Sequence, residues 1–135
     1  MKIVNADTIG VICIWCEAQG ESFIGKVCVG EVIRERVRRW YSSKGTVASA
    51  VAKRYQFSFM NDDKQNNDLL LRALEIDDSD RVVQECRKAW YASETTNYTK
   101  GAVLYLNKKL VHPLPAWAKP EKITLTEGNH TFYLD

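Results

Sequence analysis

An apolar helical run, Ile9 to Trp15, ends in a turn that carries Glu17 and stops at Gly20, and a second helical pattern opens at once with Ser22. Asn5 or Asp7 is placed to cap the first helix. The second brings Phe23, Val27, Val29, Ile33, Val37 and Trp40 near one broad face, with the arginines elsewhere. Gly25 and Gly30 cost helix propensity, which points to another backbone packed close against this helix. They are packing glycines, since no strand precedes them as a phosphate-binding loop would require.

The remaining punctuation continues the helical theme and then breaks it. Thr46 caps a short alanine-rich helix to about Arg54. Asn67 or Asp68 starts another through Leu74, and Ser79 starts a longer one carrying Val82, Val83, Cys86, Ala89 and Trp90. Beyond Asn97, β-favouring runs at Gly101 to Asn107 and Ile123 to Leu134 are separated by His112-Pro113-Leu114-Pro115 and Lys119-Pro120, which predicts a small hairpin or extended flap. The fold class is α+β, predominantly α. Residues 1–135 read as one globular domain, with three prolines, seven glycines and no internal repeat to suggest a linker or solenoid.

Glu17 is the residue whose placement asks for an explanation. The partial negative charge of a helix C-terminus and the apolar neighbours Val11, Ile12, Ile14 and Trp15 both oppose its ionisation, so its pKa is expected to rise. A general acid near neutral pH needs that environment. Helix-end glutamates in purely structural positions are perturbed in the same way, so the residues alone leave both readings open.

Other chemistries find less support. Cys13-x-x-Cys16 has the spacing of a redox or zinc half-site, but it falls mid-helix without a second pair, and Cys13, Cys16, Cys28 and Cys86 all sit in apolar segments as reduced, packed thiols. No metal site and no cofactor are expected. Ser22 and Ser58 have no histidine nearby in sequence, and no nucleophile-elbow motif occurs. The net charge is only +2, yet seven basic residues fall between Arg34 and Arg54 against Glu35 alone, and seven acidic ones between Asn61 and Arg81. The basic stretch, with Trp40, Tyr41 and Tyr55, is either a solvated helix face or a surface for a polyanion, a wall polymer or single-stranded nucleic acid. The first residues lack the pattern of a signal peptide, and no run approaches membrane-spanning length.

Four ordered motifs bear on Glu17. Cys16-Glu17-Ala18-Gln19-Gly20-Glu21, continuing to Val37, resembles G-E-A-R-G-E-x-x-x-G-Q-x-A-V-A-x-V-I-x-N-R-V. Tyr55-Gln56-Phe57-Ser58-Phe59 is similar to a Q-F-S segment, Lys100 to Asn107 to N-G-A-x-x-F-x-N, and Gly128-Asn129-His130-Thr131-Phe132-Tyr133 to G-N-H-x-F-Y. In this order they resemble the cell-wall hydrolase family typified by the spore-cortex lytic enzyme SleB. The resemblance covers Ile9 to Tyr133. The departures are Cys16 for glycine, Gln19 for arginine, Lys26 for glutamine, and Leu106 where the family often has an aromatic or histidine.

The resemblance implies a lysozyme-like fold and cleavage of the β-1,4 bond between N-acetylmuramic acid and N-acetylglucosamine in peptidoglycan, with Glu17 as catalytic acid. A lytic transglycosylase, which leaves 1,6-anhydro ends, is favoured over a hydrolytic muramidase, and an amidase or a basic binding module is the alternative. Glu21 is the second carboxylate, expected to organise the turn or the next helix's N-terminus if it does not meet substrate. Gln56 and Ser58 are expected to line the cleft, with Tyr105 and Asn107 on its opposite wall and Tyr133 nearby. The partner is the peptidoglycan glycan strand, with neither nucleic acid nor a membrane span expected, and the protein is expected to act as a monomer. A bacteriophage endolysin or virion-associated lysin fits this reading, held in the host cytoplasm until it reaches the wall.

Overall fold

The computed structural model describes residues 5–52 and 64–135. Helix α1 (Ala6–Ala18) starts from Asn5, whose side-chain oxygen accepts from the Thr8 N–H at 2.9 Å. Asp7, the other candidate cap, accepts the indole N–H of Trp90 at 2.8 Å instead, and so joins α1 to helix α5 (Arg81–Ala92). The apolar run makes α1 the centre of the helical layer. Val11, Cys13, Ile14, Trp15 and Ala18 are buried, and α2 (Phe23–Arg39), α3 (Val47–Ala52), α4 (Lys64–Glu75) and α5 all pack against it. Among the described residues no helix is long and apolar enough to cross a membrane.

Close helix packing is set by glycines, though against side chains and not the backbone expected. A Cβ on Gly30 would lie 2.6 Å from Ser93 Oγ, and one on Gly25 would press on Glu21 and Ser22. Gly10 is as tight, since its Cβ would sit 2.6 Å from the Trp90 ring. Glu31 adds a polar clamp on the far side of α2: its buried carboxylate accepts from the Thr96 and Thr99 hydroxyls and from the Tyr98 and Thr99 backbone N–H groups, at 2.6 to 3.1 Å. That satisfaction is what lets a carboxylate stay buried.

Three helix boundaries differ from expectation. Asp80, not Ser79, caps α5, accepting from the Val82 and Val83 N–H groups, while Ser79 donates back to Asp77 in the preceding turn. Helix α4 begins at Lys64 and so runs through Asn67 and Asp68; its first residues, Lys64 and Gln65, are good helix formers that extend it back by a turn. Thr46 does cap α3, accepting from the Ser49 N–H at 3.1 Å, but residues past Ala52 lie outside the described ones. Trp40 does not continue the apolar face of α2. It ends the helix in a left-handed conformation (φ 55°), which swings the side chain off the face, leaves it 68% exposed and lays its ring over Gly45.

The β region is a three-stranded antiparallel sheet of order β1-β3-β2, built from β1 (Leu104–Leu106), β2 (Ile123–Glu127) and β3 (His130–Tyr133). Strand β3 is central and buried throughout, pairing Tyr105 with Phe132 on one side and Glu127 with His130 on the other. The turn between β2 and β3 passes through Gly128 at φ 58°. Phe132 packs with Cys28 and Val32 in the cluster that seats this sheet on α2, while Val103 and Tyr133 belong to a second cluster with Leu104 and Leu106.

Filling the Gly10 notch should be destabilising despite alanine's better helix propensity, because the Trp90 ring is held by Asp7 and cannot retreat. Gly10→Ala is expected to lower unfolding free energy by about 1–3 kcal/mol, read from urea denaturation at unchanged slope.

Candidate active site

The corner between α1 and α2 faces the sheet across a cavity of about 710 Å³. Its polar wall comes from the corner, where Glu17 lies on the last turn of α1, followed by Gln19, Gly20 and Glu21. Its floor is β1, with Tyr105 and then Asn107, together with Asn129 and His130 from the β2–β3 hairpin. Leu110, Val111, Pro115 and Trp117 complete it as an apolar wall.

Glu17 is half-buried. The phenol of Tyr105 is its hydrogen-bonding neighbour, and the Tyr105 pKa is raised well above the ordinary tyrosine value, first by burial and then by the Glu17 charge. The same charge, after burial, pushes Cys13 up and Cys16 to about 12. Both thiols are therefore protonated packing groups, and all four cysteines are free. Arg36, only 2% exposed, reaches the cavity from α2, donates through Nε to Val103 O at 2.6 Å, and partly offsets the Glu17 charge at Tyr105.

Glu21 has a different occupation. Its carboxylate accepts from the backbone and side-chain N–H groups of Asn129 at 2.8 and 3.0 Å, and its Oε1 lies 3.9 Å from His130 Nδ1. It therefore organises the β2–β3 turn, not the start of α2. Ser22 does that, accepting from Gly25 N–H at 3.1 Å while donating to Glu127 at 3.1 Å. Lys26, buried where the family pattern has glutamine, donates to the Glu21 carbonyl and pairs with Glu85 at 3.5 Å. The corner is thus held from both sides by charge-assisted bonds.

Of the residues singled out in the sequence, Glu17, Glu21, Tyr105 and Asn107 meet in this cavity. Tyr133 does not line it. It is 0% exposed, set behind the wall with its ring edge-on to Trp117 at 5.3 Å, because β3 is the central strand. Gln56 and Ser58 lie outside the described residues. Of the basic stretch, the arginines of α2 are used within the fold, while Lys53, Arg54 and Tyr55 lie outside the described residues. Arg34 stacks on Trp90 at 3.8 Å and bonds Ser93, Arg38 pairs with Glu35, and Arg39 with Asp135. Arg36, Asn129, His130 and Trp117 are among the lining residues that sequence reasoning missed. Arg36 was detectable as a charge on the buried stripe of Val29 and Ile33. Among the described residues no group of three or more His, Cys, Asp or Glu is placed to hold a metal ion.

A family profile described as cell wall hydrolase matches residues 20–133, beginning just after Glu17. No curated protein matches the chain. Among solved structures, the catalytic domain of the germination-specific lytic transglycosylase SleB from Bacillus anthracis superposes with a TM-score of 0.73 at 20% identity, over 98% of this chain and 96% of that one. The catalytic domain of the Bacillus cereus SleB protein gives 0.66 at 18%, over 98% and 94%. At these identities the likeness is one of fold, and it matches the mostly helical, lysozyme-like architecture with a small sheet expected from the sequence.

The contacts of Glu21 predict a structural phenotype. Glu21→Gln presents an amide N–H₂ to groups that need acceptors, and should cost about 1–3 kcal/mol of stability, with faster amide exchange at Asn129. His130 gives a pH dependence. Its pKa is lowered below the ordinary imidazole value near 6.5, by burial first, with Glu21 opposing. The unfolded chain therefore binds the proton more readily than the folded one. Stability should be fully present above that value and fall as pH drops from about 6.5 toward the lowered pKa. Urea titrations in this window should show a shallower fall for His130→Asn.

Proposed function

Because the chain belongs to the cell wall hydrolase family, we propose that it cuts the β-1,4 bond between N-acetylmuramic acid and N-acetylglucosamine in peptidoglycan, with Glu17 as general acid and base. The observation that carries this reading is the division of labour between the two cavity carboxylates. Glu21 is committed to the Asn129 turn, while Glu17 stands at the cavity wall beside a neutral phenol. One carboxylate then serves both proton transfers.

Protonated Glu17 gives its proton to the glycosidic oxygen as the bond to muramic C1 breaks and positive charge grows on that carbon. The resulting carboxylate takes the proton of the muramic C6 hydroxyl while that oxygen bonds to C1. The product is a 1,6-anhydro end and Glu17 is protonated again. Such a lytic transglycosylase needs no second catalytic carboxylate, because the substrate supplies its own nucleophile. Tyr105, held neutral by burial, can donate to the Glu17 carboxylate as it forms in the first step and release it as the carboxylate takes up the C6 hydroxyl proton in the second. Attack by water in place of the C6 hydroxyl would make the same site a muramidase. The proposal extends to a phage lysin role, which predicts that expression inside bacteria lyses cells only when a membrane pore is opened.

Glu17→Gln keeps the shape and removes the transferable proton. It is expected to lower release of soluble fragments from purified peptidoglycan by about 10²–10⁴-fold, with thermal unfolding essentially unchanged. Fragment release at the wild-type rate would contradict the assignment.

A further inference from the structure

The cavity is divided chemically in a way that the acid-base step does not require. Its α1–α2 corner, the end of β1 and the β2–β3 hairpin present Gln19, Glu21, Asn107 and Asn129, while the segment after β1 presents Leu110, Val111, Pro115 and Trp117. Leu110 is 79% exposed although it lines the cavity, and Leu114, four residues on, is 44% exposed. Apolar surface left open at the mouth of a polar cleft marks a place where a ligand with an apolar face settles.

The four tryptophans of the chain are used differently. Trp15 and Trp90 are core residues, and Trp90 uses its indole N–H inside the protein, on Asp7. Trp40 covers Gly45 away from the cavity. Trp117 alone among the described tryptophans lines the cavity, and its indole N–H has no hydrogen-bond acceptor among the described residues. Its position is fixed by the edge-on contact with Tyr133 (5.3 Å, 78°) and by a turn in which Ala118 N–H bonds Pro115 O and Lys119 N–H bonds Trp117 O. Trp117 remains partly exposed on the cavity wall despite this contact.

A β-1,4-linked pyranose has a matching construction: hydroxyl and acetamido groups circle its rim, and C–H bonds cover its two faces. We propose that Trp117 is a sugar-stacking platform, on which one ring of the glycan strand lies with its C–H face against the indole and its polar rim toward Asn107 and Asn129. This deepens the glycosidase reading and rests on it. The indole buries apolar area without charge or flexible bonds, so ordering it costs little entropy. Trp117 then fixes the depth of the strand along the wall opposite Glu17. It takes no part in proton transfer.

The test uses Glu17→Gln protein, in which ligand is bound and not consumed, and soluble peptide-free oligosaccharides of alternating N-acetylglucosamine and N-acetylmuramic acid. The indole N–H resonances are assigned by single Trp→Phe changes and followed during titration. The Trp117 signal should shift with saturation while those of Trp15, Trp40 and Trp90 stay still. Adding Trp117→Ala should weaken binding by about tenfold and Trp117→Phe by clearly less, since a smaller ring still stacks. Binding that leaves the Trp117 signal unmoved, or equal affinity with and without the indole, would overturn the platform even if Trp117→Ala folds poorly, because the first readout needs no substitution there. Wild-type protein that leaves glycan strands uncut would overturn the glycosidase reading instead, and the two failures are told apart by assaying the wild type alongside.

Discussion

The bond between the Glu21 carboxylate and Asn129 joins two parts of the chain 108 residues apart, and the candidate site exists because of it. Glu17 arrives on the end of α1, whereas Tyr105 arrives on β1 and Asn107 directly after it, on a strand paired with β3. Glu21 ties the β2–β3 turn directly to the corner that follows Glu17. Ser22 repeats the tie through Glu127, and Lys26 secures the corner from below through the Glu21 carbonyl. A general acid must be held within a fraction of an ångström of its target, and a loop corner alone does not provide that.

The same logic explains the absence of a shared-face pair of catalytic carboxylates. Glu17 and Glu21 are four residues apart, but Gly20 and the turn closing on Ala18 end the helix between them, so the two side chains meet different partners. One faces a buried phenol; the other faces a turn rich in donors. The proposed chemistry of the site follows from that asymmetry, since the Glu21 carboxylate is taken up by two N–H groups of Asn129 while Glu17 lines the cavity beside the phenol.

Much of this architecture was legible in the sequence because it rests on local signals. Asn5, Thr46 and Ser22 cap helices as their side chains dictate, Gly20 marks the corner, and the switch from helical to extended patterning after Asn97 is where the sheet begins. What could not be read came from long-range contacts. Tyr133, expected near the cleft wall, is placed by β3 at the centre of the sheet and does not line the cavity. Trp40 has the hydrophobicity of a core residue, but its left-handed backbone ends the helix there. Arg36 and the other arginines of α2 read as either a solvated helix face or a surface for polyanions, yet most are engaged by Trp90, Val103, Glu35 and Asp135, partners that only the fold reveals.

The central claim is that Glu17 drives an intramolecular transfer within the glycan, and the ends it leaves identify the chemistry without reference to rate. Purified peptidoglycan digested with the wild-type protein and analysed by mass spectrometry should yield muropeptides ending in 1,6-anhydro-muramic acid, each lighter by one water than its reducing counterpart. Fragments ending in reducing sugars would show that water is the nucleophile. Free stem peptides with intact glycan strands would contradict the account altogether, because they require cleavage of an amide and leave the glycosidic bond untouched.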